Sequence, residues 1–145
     1  MPQEKAIRLT INQMLEAVEK VENGFALHGP DFSVLYVNDT ARKKFPEFYK
    51  GLLNGDSPEE AMLASTRSIA KDLPHLDVEA FSLNLVAQMR SFGTIDVQAD
   101  DGTFVKATFS EMPDGTILCI SSDITDVRDH ERKLRHAKRE AQAAS

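Results

Sequence analysis

Cysteine occurs once in these 145 residues, so no internal disulfide can form, and one thiol cannot build a structural zinc site. Long apolar runs are missing too. The longest fall far short of the roughly 18 residues that cross a bilayer, and the opening MPQEKAIRLT lacks the apolar centre of a signal peptide. The expectation is a cytoplasmic protein without membrane insertion. Positive charge is in the minority: 17 Lys and Arg against 23 Asp and Glu leave a net charge of -6, whereas a phosphate-backbone partner calls for a basic face. Nucleic acid is therefore not an expected partner. Glycine and proline are sparse, at 7 and 6, and no repeat or low-complexity segment occurs, which excludes fibrous and disordered classes.

Signatures of chemistry are also wanting. The four histidines, His28, His75, His130 and His136, are spread over three expected elements, the last two sharing the C-terminal helix, without metal-ligand spacing. There is no glycine-rich phosphate loop and no nucleophile elbow. Neither catalysis nor a metal site is expected in these residues. What remains, at 41% hydrophobic and 28% charged residues, is the composition of one folded domain, long enough to bury roughly two-thirds of its unfolded surface.

Periodicity gives the order of elements. Ile7, Ile11, Met14, Val18 and Val21 recur at steps of four and three among polar residues, which predicts an amphipathic helix of about five turns over residues 1–22. Its apolar stripe is either packed on its own domain or a seam between two copies. Asn23-Gly24 ends it. Phe25 to His28 and Ser33 to Val37 then read as a hairpin around Gly29-Pro30-Asp31. Asn38 or Asp39 caps a short helix, Thr40 to Phe45, which Pro46 terminates. Asp56-Ser57-Pro58-Glu59-Glu60 opens a helix running toward Leu73, and a second starts near Asp77 with Val78, Phe81, Leu85 and Met89 at helical spacing.

The last third changes period. Thr94 to Ala99, Phe104 to Ser110 and Thr116 to Ile120 are strand-like and separated by Asp100-Asp101-Gly102 and Met112-Pro113-Asp114-Gly115, both turn signals. The final strand is apolar on both faces, so both should be covered, and the N-terminal helix is the natural second cover. Leu118 and Ile120 on that second face, with Ile7, Ile11, Met14 and Val18, are the candidate dimer interface. From Asp126 to Ser145 the sequence is helical, with Val127, His130, Leu134, Ala137, Ala141 and Ala144 on heptad positions. So small an apolar stripe leaves an isolated helix marginal, and the pattern reaches Ser145 without a Gly or Pro stop. The expectation is a linker helix that continues into an effector.

Three stretches together resemble the PAS sensor family over about residues 22 to 126: GFALHGPDFSVLYVNDTARKKF, DDGTFVKATFSEMPDGTILCISSDIT, and the triplet Asp123-Ile124-Thr125 at the end of the final strand. The resemblance implies an α+β fold, a five-stranded antiparallel sheet with helices on one face, as residues 23–125. It implies a regulatory function, in which Asp123, Ile124, Thr125, Val127 and Leu134 transfer a signal to a downstream effector, first of all a sensor histidine kinase. A cyclic-dinucleotide cyclase or phosphodiesterase is the alternative effector. Rival readings are a protein-docking module that senses nothing and a metabolite sensor.

The resemblance also bears on cofactors. Flavin-binding members carry an Asn-Cys-Arg-Phe-Leu type motif in the helical block, which is absent here, and haem-binding members use a histidine on the helix before the third strand, whereas His75 precedes that helix. No cofactor is expected. If the last strand alternates as the family's does, Ile117, Cys119 and Ser121 face Phe81, Leu85 and Met89 across the interior. The plain reading of those six is a packed core, the sharper one a ligand pocket.

Overall fold

The computed structural model describes residues 10–71 and 73–144. In chain order these form α1 (Ile11–Lys20), β1 (Gly24–His28), β2 (Val34–Val37), α2 (Asp39–Lys44), α3 (Pro46–Leu53), α4 (Pro58–Ile69), α5 (Val78–Arg90), β3 (Thr94–Gln98), β4 (Phe104–Glu111), β5 (Ile117–Asp123) and α6 (Thr125–Ala144). All five strands pair antiparallel in one sheet of order β2-β1-β5-β4-β3. The expected α+β class and five-stranded antiparallel sheet are what the chain adopts.

Residues directly opposite one another across antiparallel strands share a face. The pairs Ala26↔Cys119, Phe109↔Cys119 and Ile95↔Ala107 therefore put Ala26, Cys119, Phe109, Ala107 and Ile95 on the inner face, where all are buried beneath α2 to α5. Phe25↔Ile120 and Leu27↔Leu118 define the outer face. The helices close the inner face because each has a cap where its sequence offers one: Asn38, Ser57 and Asp77 accept the N–H of Ala41, Glu60 and Ala80.

Two departures from the sequence reading matter. Pro46 ends nothing alone; it occupies the first turn of α3, where its missing N–H has no cost, and α3 buries Phe48, Tyr49 and Leu52. Within the described residues the N-terminal helix runs over Ile11–Lys20, where Thr10 and Gln13 form a reciprocal capping box. Ile7 lies outside the described residues. Nor does α1 cover the outer face of the sheet. Its partners are α2 and the β2 edge: Tyr36 donates to the Glu19 carboxylate at 2.7 Å, Arg42 meets the same carboxylate at 2.7 Å, and the Asn38 amide donates to the Val18 carbonyl at 2.9 Å. No residue of α1 is buried, and Ile120 stays 40% exposed on the uncovered side of β5.

Candidate functional site: a polar junction and an apolar cavity

The junction between β5 and α6 is built by hydrogen bonds that leave the helix. The Ile124 N–H donates to the Phe104 carbonyl at 2.8 Å, and the Phe104 N–H donates to Thr125 Oγ1 at 2.9 Å. The Thr125 N–H donates to Asp123 Oδ1 at 2.9 Å. Asp123 thus caps locally, while the Thr125 hydroxyl ties the start of α6 to β4 instead of serving its own helix. The Arg128 guanidinium sits 4.2 Å from the Phe104 ring centroid and adds a cation–π contact to the same strand end.

A third element enters through Lys44, the last residue of α2. Its ammonium donates to Asp101 Oδ2 at 2.8 Å, to Thr103 Oγ1 at 2.7 Å and to Asp123 Oδ2 at 3.4 Å. Its carbonyl accepts the Asp100 N–H at 3.0 Å. Burial by itself would raise the Asp101 carboxyl, but the hydrogen bonds from Lys44 and Thr103 outweigh it and hold that group down to about 2. Hydrogen bonds from the Thr125 side chain and N–H, with the charge of Lys44, hold the Asp123 carboxyl below its ordinary range as well. Both carboxylates are ionised wherever the protein is folded near neutrality. Beyond the junction α6 has no buried residue, and Val127 and Leu134 are each 57% exposed.

The second feature is a cavity of about 140 Å³ between the inner sheet face and α3 to α5. Phe81, Leu85, Met89, Cys119 and Ser121 line it, five of the six residues the sequence points to. Ile117 is buried on the same face but lies in the packed core away from that lining. Leu73 and Phe81 line the cavity and are also exposed, so it reaches the surface beside them. Sequence reasoning misses Tyr49 and Ser65, which also line it. Burial pushes the Cys119 thiol up to about 12 and the Tyr49 phenol well above its usual range, so both stay neutral.

His28 lies next to this cavity wall and is fully buried, stacked on Tyr49 with ring centroids 6.2 Å apart. Its Nδ1 is 3.1 Å from the Phe32 carbonyl, which can only accept, so Nδ1 carries the proton. Nε2 is left as a buried acceptor without a partner among the described residues, and burial lowers the pKa of the ring. His75, His130 and His136 lie apart from it at the surface, and no group of three or more His, Cys, Asp or Glu among the described residues could hold a metal ion. No helix among them is long and apolar enough to cross a membrane.

Solved structures similar to this chain include PAS domains. One is the PAS domain of the Cronobacter turicensis RpfR quorum-sensing receptor in complex with BDSF, at 11% identity and TM-score 0.40, covering 73% of this chain and 97% of that one. A PAS domain from Desulfitobacterium hafniense matches at 18% identity and TM-score 0.34, covering 74% and 98%. A domain of a sensory box sensor histidine kinase/response regulator from Geobacter sulfurreducens, at 15% identity and TM-score 0.38, covers 79% of this chain and 97% of its own. No protein-family model matches the sequence, and no curated protein matches it. In this chain the Asp-Ile-Thr triplet leaves the central strand, and the cavity lies on the opposite side of the sheet from Leu118 and Ile120.

Proposed function

We propose that this chain is a regulatory PAS domain that pairs with a second copy and passes a conformational bias through Asp123, Ile124 and Thr125 into α6, and from there to an effector, a sensor histidine kinase being the first expectation. The observation that carries this reading is the junction itself. Four polar contacts bind the residues at the root of α6 to β4, β5 and α2, and the helix then runs on without a buried residue. A helix anchored to its domain only at the root transmits a change in root geometry as a change in direction or register. Two arrangements of the junction must differ in free energy in response to the signal, or nothing is transmitted.

Pairing is the other half of the proposal. Ile11 is 76% exposed and Met14, Leu15, Leu35 and Ile120 are exposed as well, with Leu118 half-buried beside them. Apolar residues on one helix face and on the adjoining sheet face suit a second copy, which would bring the two α6 helices together for their heptad stripe. In the protein joined to its effector, Val127→Asp or Leu134→Asp should change output while the domain keeps its melting temperature. Unchanged output with intact folding would overturn the proposal.

A second reading has its own support. The cavity favours a small-molecule signal over a domain that only docks another protein, because a packed core would leave no such space. None of these residues is proposed to be catalytic, and no cofactor is proposed.

A further inference from the structure

The proposed sensing role, taken as the basis here, leaves open which chemistry the cavity selects. Tyr49 on α3, Ser65 on α4 and Ser121 on β5 are 5%, 3% and 7% exposed, line the same cavity, and have hydroxyls that form no hydrogen bond to a described residue. Among the described residues His28 Nε2 is the one fully enclosed side-chain polar atom without a partner, so these three unpartnered hydroxyls keep accessible surface that a ligand or water can meet. Here three from separate elements border one space whose other walls are apolar apart from Thr66, whose hydroxyl already donates to the Met62 carbonyl, and Gln98, whose amide donates to the Gly102 carbonyl, the arrangement by which a site fixes a ligand's orientation.

Charge and size narrow the ligand. No Asp, Glu, Lys, Arg or His lines the cavity, so an ionised group would lose its hydration with nothing to replace it. Cys119 and Tyr49 remain neutral, so they supply no anion either. The volume of about 140 Å³ is close to that of an engineered protein cavity of about 150 Å³ that takes up benzene. We infer that the cavity binds an uncharged, single-ring molecule bearing a hydroxyl or carbonyl group, held by the hydroxyls of Tyr49, Ser65 and Ser121.

The test uses the full chain, titrated at neutral pH with phenol, benzene and benzoate and followed by calorimetry and by the amide resonances of Met89 and Cys119. Phenol should bind at one site about tenfold tighter than benzene, the gain from one or two net hydrogen bonds, and benzoate should not bind. Ser121→Ala, and separately Ser65→Ala, should shrink the preference for phenol over benzene several-fold while leaving benzene binding unchanged. Three results would each overturn the inference: no saturable binding of either ring, benzoate binding as tightly as phenol, or phenol binding no tighter than benzene, which would mean the hydroxyls serve ordered water alone. Phenol binding without any change in effector output keeps the ligand assignment and sinks the proposed sensing. Absent binding, with output still altered by Val127→Asp, does the reverse.

Discussion

Lys44 and Asp123 stand 79 residues apart in the chain and 3.4 Å apart in space, so the last residue of a short helix touches the last residue of the central strand. The contact is reinforced by Asp101 at 2.8 Å and ties α2, the β3–β4 turn and the root of α6 to one ammonium. Lys44→Met keeps the alkyl stem and removes the charge. It should lower the unfolding free energy by about 1–2 kcal/mol, a charge-assisted network discounted for partial exposure. The Asp101 carboxyl should climb from about 2 toward its ordinary 3.8. Because a lowered carboxyl stabilises the fold above its unfolded value and loses that contribution as pH falls through the folded one, the variant should also lose part of the wild type's acid sensitivity below about pH 4. Carboxyl NMR titration checks the first claim and urea unfolding at several pH values the second.

Thr125 separates anchoring from helix capping. Thr125→Ala leaves the Phe104 N–H without its acceptor and should cost about 1 kcal/mol, with faster hydrogen exchange at Phe104. Thr125→Ser keeps the oxygen and should restore protection. Equal exchange in all three proteins would show that the hydroxyl does not anchor the helix.

Gly24 and Ser121 are paired across β1 and β5, and a Cβ at Gly24 would collide with the Ser121 hydroxyl. Gly24→Ala should destabilise by about 1–3 kcal/mol, the usual cost of overpacking. Adding Ser121→Ala should recover most of that loss, so the two substitutions will be strongly non-additive in a double-mutant cycle. Additive costs would place the strain elsewhere.

His28 sets a pH dependence of a definite sign. Burial lowers its pKa from the ordinary 6.5, so below that value the unfolded chain binds a proton that the folded protein refuses, and stability falls as pH falls toward the folded value. Among the described residues, Tyr49 is the one titratable ring stacked on it, and the Phe32 carbonyl is its hydrogen-bond partner. His28→Phe should fold and should flatten the stability profile between neutrality and about pH 5. An unchanged profile would assign the slope to other groups.

Ile120 tests the uncovered sheet face. Ile120→Glu places a charge on the outer surface without disturbing the core, so unfolding free energy should move by no more than about 0.5 kcal/mol. Sedimentation should nonetheless shift from dimer toward monomer. A wild-type chain that sediments as a monomer at every concentration would remove the pairing proposal.

Much of this was legible in the sequence because strands and turns are local statements. Asp-Gly and Pro-Asp-Gly marked the β3–β4–β5 meander to within a few residues, and the family resemblance, applied to the alternation of β5, placed Cys119 and Ser121 on the inner face. The helix α3 was hidden, since Pro46 carries two meanings, a stop for α2 and a first-turn residue of the next helix, and with α3 went Tyr49. Lys44 reads locally as one of three basic residues at a helix end, a favourable site for positive charge. Its real partners are Asp101 and Asp123, and no periodicity reports a contact across such separations. Whether the six interior residues close into a packed core or leave a cavity is out of reach for a related reason: residue types announce burial but not the volume left between them. The described α1 is not the second cover for β5, because apolarity on both faces asks for a cover without saying which element supplies it.

The strand order also bears on how the chain is made. β5 is the last strand synthesised and the middle strand of the sheet, flanked by β1 and β4. Until residue 123 has emerged, the β1–β2 and β3–β4 hairpins are two separate ribbons, each marginal alone and each presenting an open edge. Closure then requires β1 to find a partner almost a hundred positions downstream, through pairs such as Gly24↔Ser121. Folding should accordingly be late and cooperative, with little stable structure in nascent chains that stop before β5. The strand that completes the sheet is the one that carries α6, so the output helix acquires its anchor in the same step that produces the fold.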